Sequence, residues 1–169
     1  MSDDLLLLFL THKYFEQGKA IRGGALVSDD RTRPVEFRCT SPIRPTDYQR
    51  VLYGDTLDEY IFVDLIGVPL VNKALESVSL VVVEDEQFLG VRPHIDIPVV
   101  NLTPGPGEEG TETLSVEVHP DFKTERGFVE SSLRQVTDQG ADLSEPFDRI
   151  RLVLDQAHEK QIGDDQKDA

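Results

Sequence analysis

Leu5-Leu6-Leu7-Leu8-Phe9-Leu10 is an unbroken apolar run close to the start of the chain. It is far short of the ~20 apolar residues a membrane-spanning helix needs. Asp3 and Asp4 stand where a secretory signal peptide carries positive charge. A membrane span and a signal segment are both poor fits, and a buried β-strand over residues 5–12 is the reading that remains. A chain of 169 residues built around such a strand is expected to form one domain. It can bury about 68–70% of its unfolded surface without a metal or disulfide staple.

Further strands follow from alternation. Ala25-Leu26-Val27 resumes an apolar run after Gly23-Gly24, which with Gly18 bracket Lys19 to Arg22. Val35-Glu36-Phe37-Arg38-Cys39 alternates apolar and polar residues, so Val35, Phe37 and Cys39 are expected on the core face and Glu36 and Arg38 on the other. Ser79 to Val83 reads as a buried strand, Phe88 to Val91 as its hairpin partner, and Ile95 to Leu102 as an edge strand because Pro98 interrupts it. Residues 103–113, TPGPGEEGTET, read as a loop, and Leu114 to Val118 as a strand.

Helical signals lie in two places. Thr46-Asp47-Tyr48-Gln49 and Thr56-Leu57-Asp58-Glu59 both have capping-box spacing, with Gly54 between them and Pro69 beyond. Leu70, Val71 and Leu75 are the expected buried face there. Tyr60 to Ile66 has enough β-branched content to keep a strand open as the alternative. In the last third, Phe122, Phe128, Val129, Leu133 and Val136 are expected to face inward from a helix over 121–138. Ser144-Glu145-Pro146 opens another whose stripe is Phe147, Ile150, Leu154 and Ala157. The predicted fold is a single α+β domain over 1–158: a mainly antiparallel sheet, a central helical insertion after the third strand, and two C-terminal helices. Residues 159–169 read as a flexible acidic tail.

The formal net charge of −15 argues against direct binding to a nucleic-acid backbone. The charge is uneven. Lys19 to Arg50 holds seven basic residues against four acids, so the chain is an acidic body with one arginine-rich segment. One cysteine permits no intrachain disulfide and fits a reducing, cytoplasmic compartment.

That segment holds the densest chemistry. Cys39 precedes Arg44 by four intervening residues, one short of a phosphatase-type cradle, and Pro42 removes a backbone donor from the loop. Cys39 is expected on a buried face, where a thiol is inert. A strand, a turn and a helix start do make favourable geometry for anions. Arg38, Thr40, Ser41, Arg44 and Thr46 are therefore the candidate anion- or partner-binding residues, with arginine suited to bidentate contact. The competing reading is that Arg38 pairs with Glu36 and the polar residues shape the turn. His94-x-Asp96, with His12 and His119 elsewhere, does not enforce a metal site. Glu36-x-Arg38 is a weak echo of a nuclease centre. Phosphate-loop, dinucleotide, nucleophile-elbow and zinc-protease motifs are absent. No catalytic residue, metal or cofactor is expected.

The string Val35-Glu36-Phe37-Arg38-Cys39-Thr40-Ser41-Pro42-Ile43-Arg44-Pro45, with Gln49, Leu52-Tyr53-Gly54, Thr56-Leu57 and Leu65-Ile66-Gly67, resembles a group of uncharacterised bacterial proteins. Ser144 to Ile150 is similar to them too. The resemblance implies that this corner is a family feature, and it implies no activity. The expected function is a non-catalytic protein-interaction module, an accessory subunit of a larger bacterial or archaeal complex. It would recognise a charged partner through the arginine-rich corner. The alternatives are a phosphate- or nucleotide-handling enzyme centred on Arg38 and Arg44, and an acidic nucleic-acid mimic.

Overall fold

The computed structural model describes residues 4–106 and 112–163. Six strands form one sheet in the order β3-β2-β1-β4-β5-β6. They are β1 (Leu7–Phe15), β2 (Ala20–Ser28), β3 (Pro34–Cys39), β4 (Leu80–Val83), β5 (Val99–Pro106) and β6 (Glu112–Val118). The β1–β2, β2–β3 and β5–β6 pairs are antiparallel, and β1–β4 and β4–β5 are parallel. The α+β class, the helical insertion after β3 and the two C-terminal helices stand as expected.

The central strands are buried on both faces, which is why they read as continuous apolar runs. Leu8 and Leu10 of β1, Val81 and Val83 of β4 and Val99 of β5 face one core. That core is covered by α2 (Leu57–Glu59), a π-helical stretch Tyr60–Gly67, and α3 (Val68–Lys73), with α1 (Asp47–Tyr53) preceding them. Leu7, Phe9, Leu80, Val82 and Val100 face the other, beneath α4 (Arg126–Asp138) and α5 (Glu145–Glu159). Each fully buried Leu, Val or Phe contributes about 1.5–3 kcal/mol. The predicted α5 stripe of Phe147, Ile150, Leu154 and Ala157 is buried throughout.

Gly23 and Gly24 lie inside β2 and do not break it. A Cβ on Gly23 would stand 2.2 Å from Cγ2 of Ile66, and one on Gly24 would stand 2.6 Å from Cγ2 of Ile150. The two glycines thus let the insertion and α5 close on opposite faces of one strand.

Several expectations are corrected. Phe88 to Val91 is not a strand. It belongs to a 3₁₀ segment, Glu86–His94, capped by Asp85 and closed onto the insertion. β4 therefore pairs in parallel on both sides, with β1 and β5. β5 is internal, and Pro98 precedes its first residue, offering only its carbonyl, which accepts from the Val81 amide at 2.9 Å. The expected 103–113 loop is paired strand at both ends, and its tip lies outside the described residues. Tyr60 to Ile66 is helical. Leu75 and Val35 are exposed, the first because α3 ends at Lys73 and the second because β3 is an edge strand. Phe128 is exposed because Val129, Leu133 and Val136 take the inward arc of α4. Phe122 belongs to a preceding 3₁₀ stretch and lies under the Arg92 guanidinium, 3.9 Å from the ring centre. Among the described residues no helix is long and apolar enough to cross a membrane.

A cation-lined cavity at the end of the third strand

The chain leaves β3 without leaving the sheet. The Thr40 amide donates to the Gly23 carbonyl (2.9 Å), and Thr40 Oγ1 accepts from the Gly23 amide (3.0 Å). Ile43 and Ile21 exchange both backbone bonds at 2.8 and 2.9 Å. Ser41 and Pro42 bulge between these tethers. Proline has no N–H to satisfy, so the bulge leaves no buried donor behind at that position.

Beneath this bulge lies a cavity of about 600 Å³. One wall is Phe37 to Ile43. Leu65, Pro69, Leu70 and Lys73 line the cavity from the insertion, and Ile162 and Gly163 from the end of α5. Its charged lining residues are Arg38 and Lys73, and its other polar side chains are Cys39, Thr40 and Ser41. Arg38 Nε donates to Glu36 at 2.8 Å, as the competing reading expects. Its two Nη groups make no hydrogen bond among the described residues, and Lys73 makes no ion pair there. Glu36 also accepts from the Leu75 and Glu76 amides at 3.0 and 3.4 Å. Burial pushes the Glu36 carboxyl up, but Arg38 and these amides outweigh it and hold it below its ordinary value.

The five predicted site residues are only partly together. Arg38, Thr40 and Ser41 share the cavity. Arg44 lines a second cavity of about 230 Å³, with Gln49, Tyr53 and Tyr60, separated from the first by Ile43 and Leu65, which line both. Its guanidinium forks onto Glu16 at 2.7 and 3.1 Å. Thr46 is a helix cap: it accepts from the Gln49 amide at 3.1 Å while Gln49 accepts from the Thr46 amide at 2.9 Å. The second expected box fails, because Thr56 donates to the Tyr53 carbonyl.

Burial raises the Cys39 thiol above its ordinary value, with the Arg22 charge pulling the other way. The histidines do not meet. Among the described residues no group of three or more His, Cys, Asp or Glu is placed to hold a metal. His12 packs against Phe62 and Phe88, and His119 caps the Asp121 amide. Residues 160–163, assigned to a tail, form a turn on the end of α5, and Ile162 and Gly163 reach the cavity. Residues 164–169 lie outside the described residues.

Beside the second cavity, α1 buries none of its residues. Tyr48, Val51 and Leu52 are all exposed, at the i, i+3, i+4 spacing of one helix face. Sequence reading missed Lys73, Leu65, Leu70 and Ile162 as cavity residues, since each comes from a distant element. No protein-family model matches the chain, and no curated protein matches it.

Proposed function

We propose that the protein is a non-catalytic binding module, an accessory subunit that recognises an anionic group on a protein partner. The observation that supports this reading is the cavity's lining: two cations, one from the strand and one from the insertion, two hydroxyls and a thiol held protonated. Arg38 retains both Nη groups for a guest, and arginine favours bidentate contact with carboxylate or phosphate. The uncovered apolar stripe of α1, one cavity away, adds a surface a protein covers and a metabolite does not. A cytoplasmic setting fits the single thiol.

A second reading is a small phosphate-bearing ligand in the same cavity. Its volume favours this, since small-molecule sites span about 300–1,000 Å³.

The test is a tagged capture from the native host at moderate salt. Wild type is run beside Arg38→Ala/Lys73→Ala and Tyr48→Ser/Leu52→Ser. One stoichiometric protein held by wild type and lost from both variants is the expected result. A protein held equally by all three overturns the proposal. No protein held, with phosphate compounds raising Tm, favours the second reading.

A further inference from the structure

We infer that the anionic guest of this cavity is amphipathic and singly charged: one carboxylate on an extended apolar stem. The inference rests on the anion-binding reading above and narrows it to a ligand class. Charge sets the first half. Arg38 and Lys73 bring two positive charges to the walls, and the Glu36 carboxylate, fixed on Arg38 Nε and the Leu75 amide, cancels one. The balance is one positive charge, which suits a single anionic head and not a polyphosphate.

Shape sets the second half. Lys73 closes the last turn of α3, and Glu36 ties Arg38 to the segment just beyond it. The cationic end is therefore at the C-terminal end of α3. Leu65 lies eight positions earlier on the same continuous helical stretch, roughly 12 Å away at 1.5 Å per residue. Past the Thr40 and Ser41 hydroxyls, the lining is Leu70 and Pro69 from the insertion and Pro42 and Ile43 from the bulge. The prolines supply no N–H, so this half offers contact to methylenes and few donors to water or a second polar group. A guest with a charged head and an apolar stem matches both ends at once. A free medium-chain acid and an apolar peptide ending in a free carboxylate share this chemistry.

The test is calorimetric titration of the full chain, with amide shifts of residues 37–43 and 65–73 locating the guest. The probes are octanoate, octyl phosphate, 1-octanol, acetate, inorganic phosphate, and N-acetyl-trileucine as free acid and as amide. Octanoate or the peptide acid should bind at least about tenfold more tightly than acetate, since each buried methylene is worth several-fold in affinity. Lys73→Met, at an exposed residue without an ion pair among the described residues, should weaken that binding about tenfold, and Leu70→Ser should do the same without restoring acetate binding. Tighter binding of the peptide acid than of octanoate supports the inference with a protein C-terminus as the source. The reverse order supports it with a free acid. Acetate or phosphate binding as well as octanoate overturns the amphipathic class and leaves the anion reading standing. If 1-octanol matches octanoate, or no anion binds, both are overturned.

Discussion

Arg22 Nε donates to Nδ1 of His158 at 2.9 Å, joining the start of β2 to the last turn of α5. Arg22 is fully buried. Arginine is always a donor, so Nδ1 must accept and the ring proton must sit on Nε2, 2.9 Å from Glu16 Oε2. The imidazole is stacked on Phe15 with centroids 4.1 Å apart. At neutral pH, nitrogen-15 spectra should show the Nε2–H tautomer. His158→Ala should cost about 1.5–3 kcal/mol, the worth of a hydrogen bond to a charged group, measured by urea denaturation. An Nδ1–H tautomer would contradict the arrangement.

Glu16 supplies a pH dependence. Its hydrogen bonds from Arg44 first, and then the charge of Arg44 and the contact with His158, bring the carboxyl from an ordinary 4.5 to about 2, against a smaller opposing push from burial. A carboxyl depressed by folding stabilises the native state above its unfolded value and loses that contribution as pH falls through its folded value. Wild type should therefore lose stability between about pH 4.5 and 2 more steeply than Glu16→Gln. The pair is solvent-exposed, so salt should shrink the difference. Parallel acid titrations of the two proteins would check this.

The closeness of Gly23 to Ile66 sets a packing prediction. Gly23→Ala places a methyl 2.2 Å from Ile66 Cγ2, and overpacking of this kind costs about 1–3 kcal/mol. Ile66→Ala should cost about 2–5 kcal/mol by itself. The double variant should be less destabilised than the sum of the two, because the second change removes the clash made by the first. Strict additivity in a denaturant cycle would mean that the helical insertion does not close on β2 as described.

Cys39 should behave as a slow thiol. Burial raises it, and the thiolate is the reactive form. A disulfide reagent at neutral pH should modify it at least about tenfold more slowly in the folded protein than in urea. Rapid modification of the folded protein would reopen a chemical role for the cavity.

What could be read in advance was local. The apolar runs of β1 and β4 announced themselves because every position faces one core or the other. The capping box at Thr46 is written in four residues, and the α5 stripe in eleven. What failed was pairing at a distance. Phe88 to Val91 looks like a returning strand, and nothing nearby says that β4 will instead lie parallel to β1 and β5. Gly23-Gly24 reads as punctuation until Ile66 and Ile150 are seen against it. The site followed the same division. Arg38, Thr40 and Ser41 were legible because one strand end carries all three. Lys73 and Ile162 were not, because the insertion and the end of α5 bring them there. Arg44 was misjudged as converging with Arg38 because its partner, Glu16, stands on the β1–β2 turn, 28 residues away.

The two-faced burial of β1 has a consequence for how the chain is made. On a ribosome, β1, β2 and β3 emerge together and can pair as successive hairpins. Leu7, Phe9 and Leu26 then wait on an open face until Phe147, Ile150 and Leu154 arrive with α5. Until α5 is made, the nascent chain holds a greasy half-sheet with a free edge, the kind of surface holding chaperones recognise. Slowing synthesis before α5 should lengthen that exposure, so soluble yield should depend on the rate at which α5 is made.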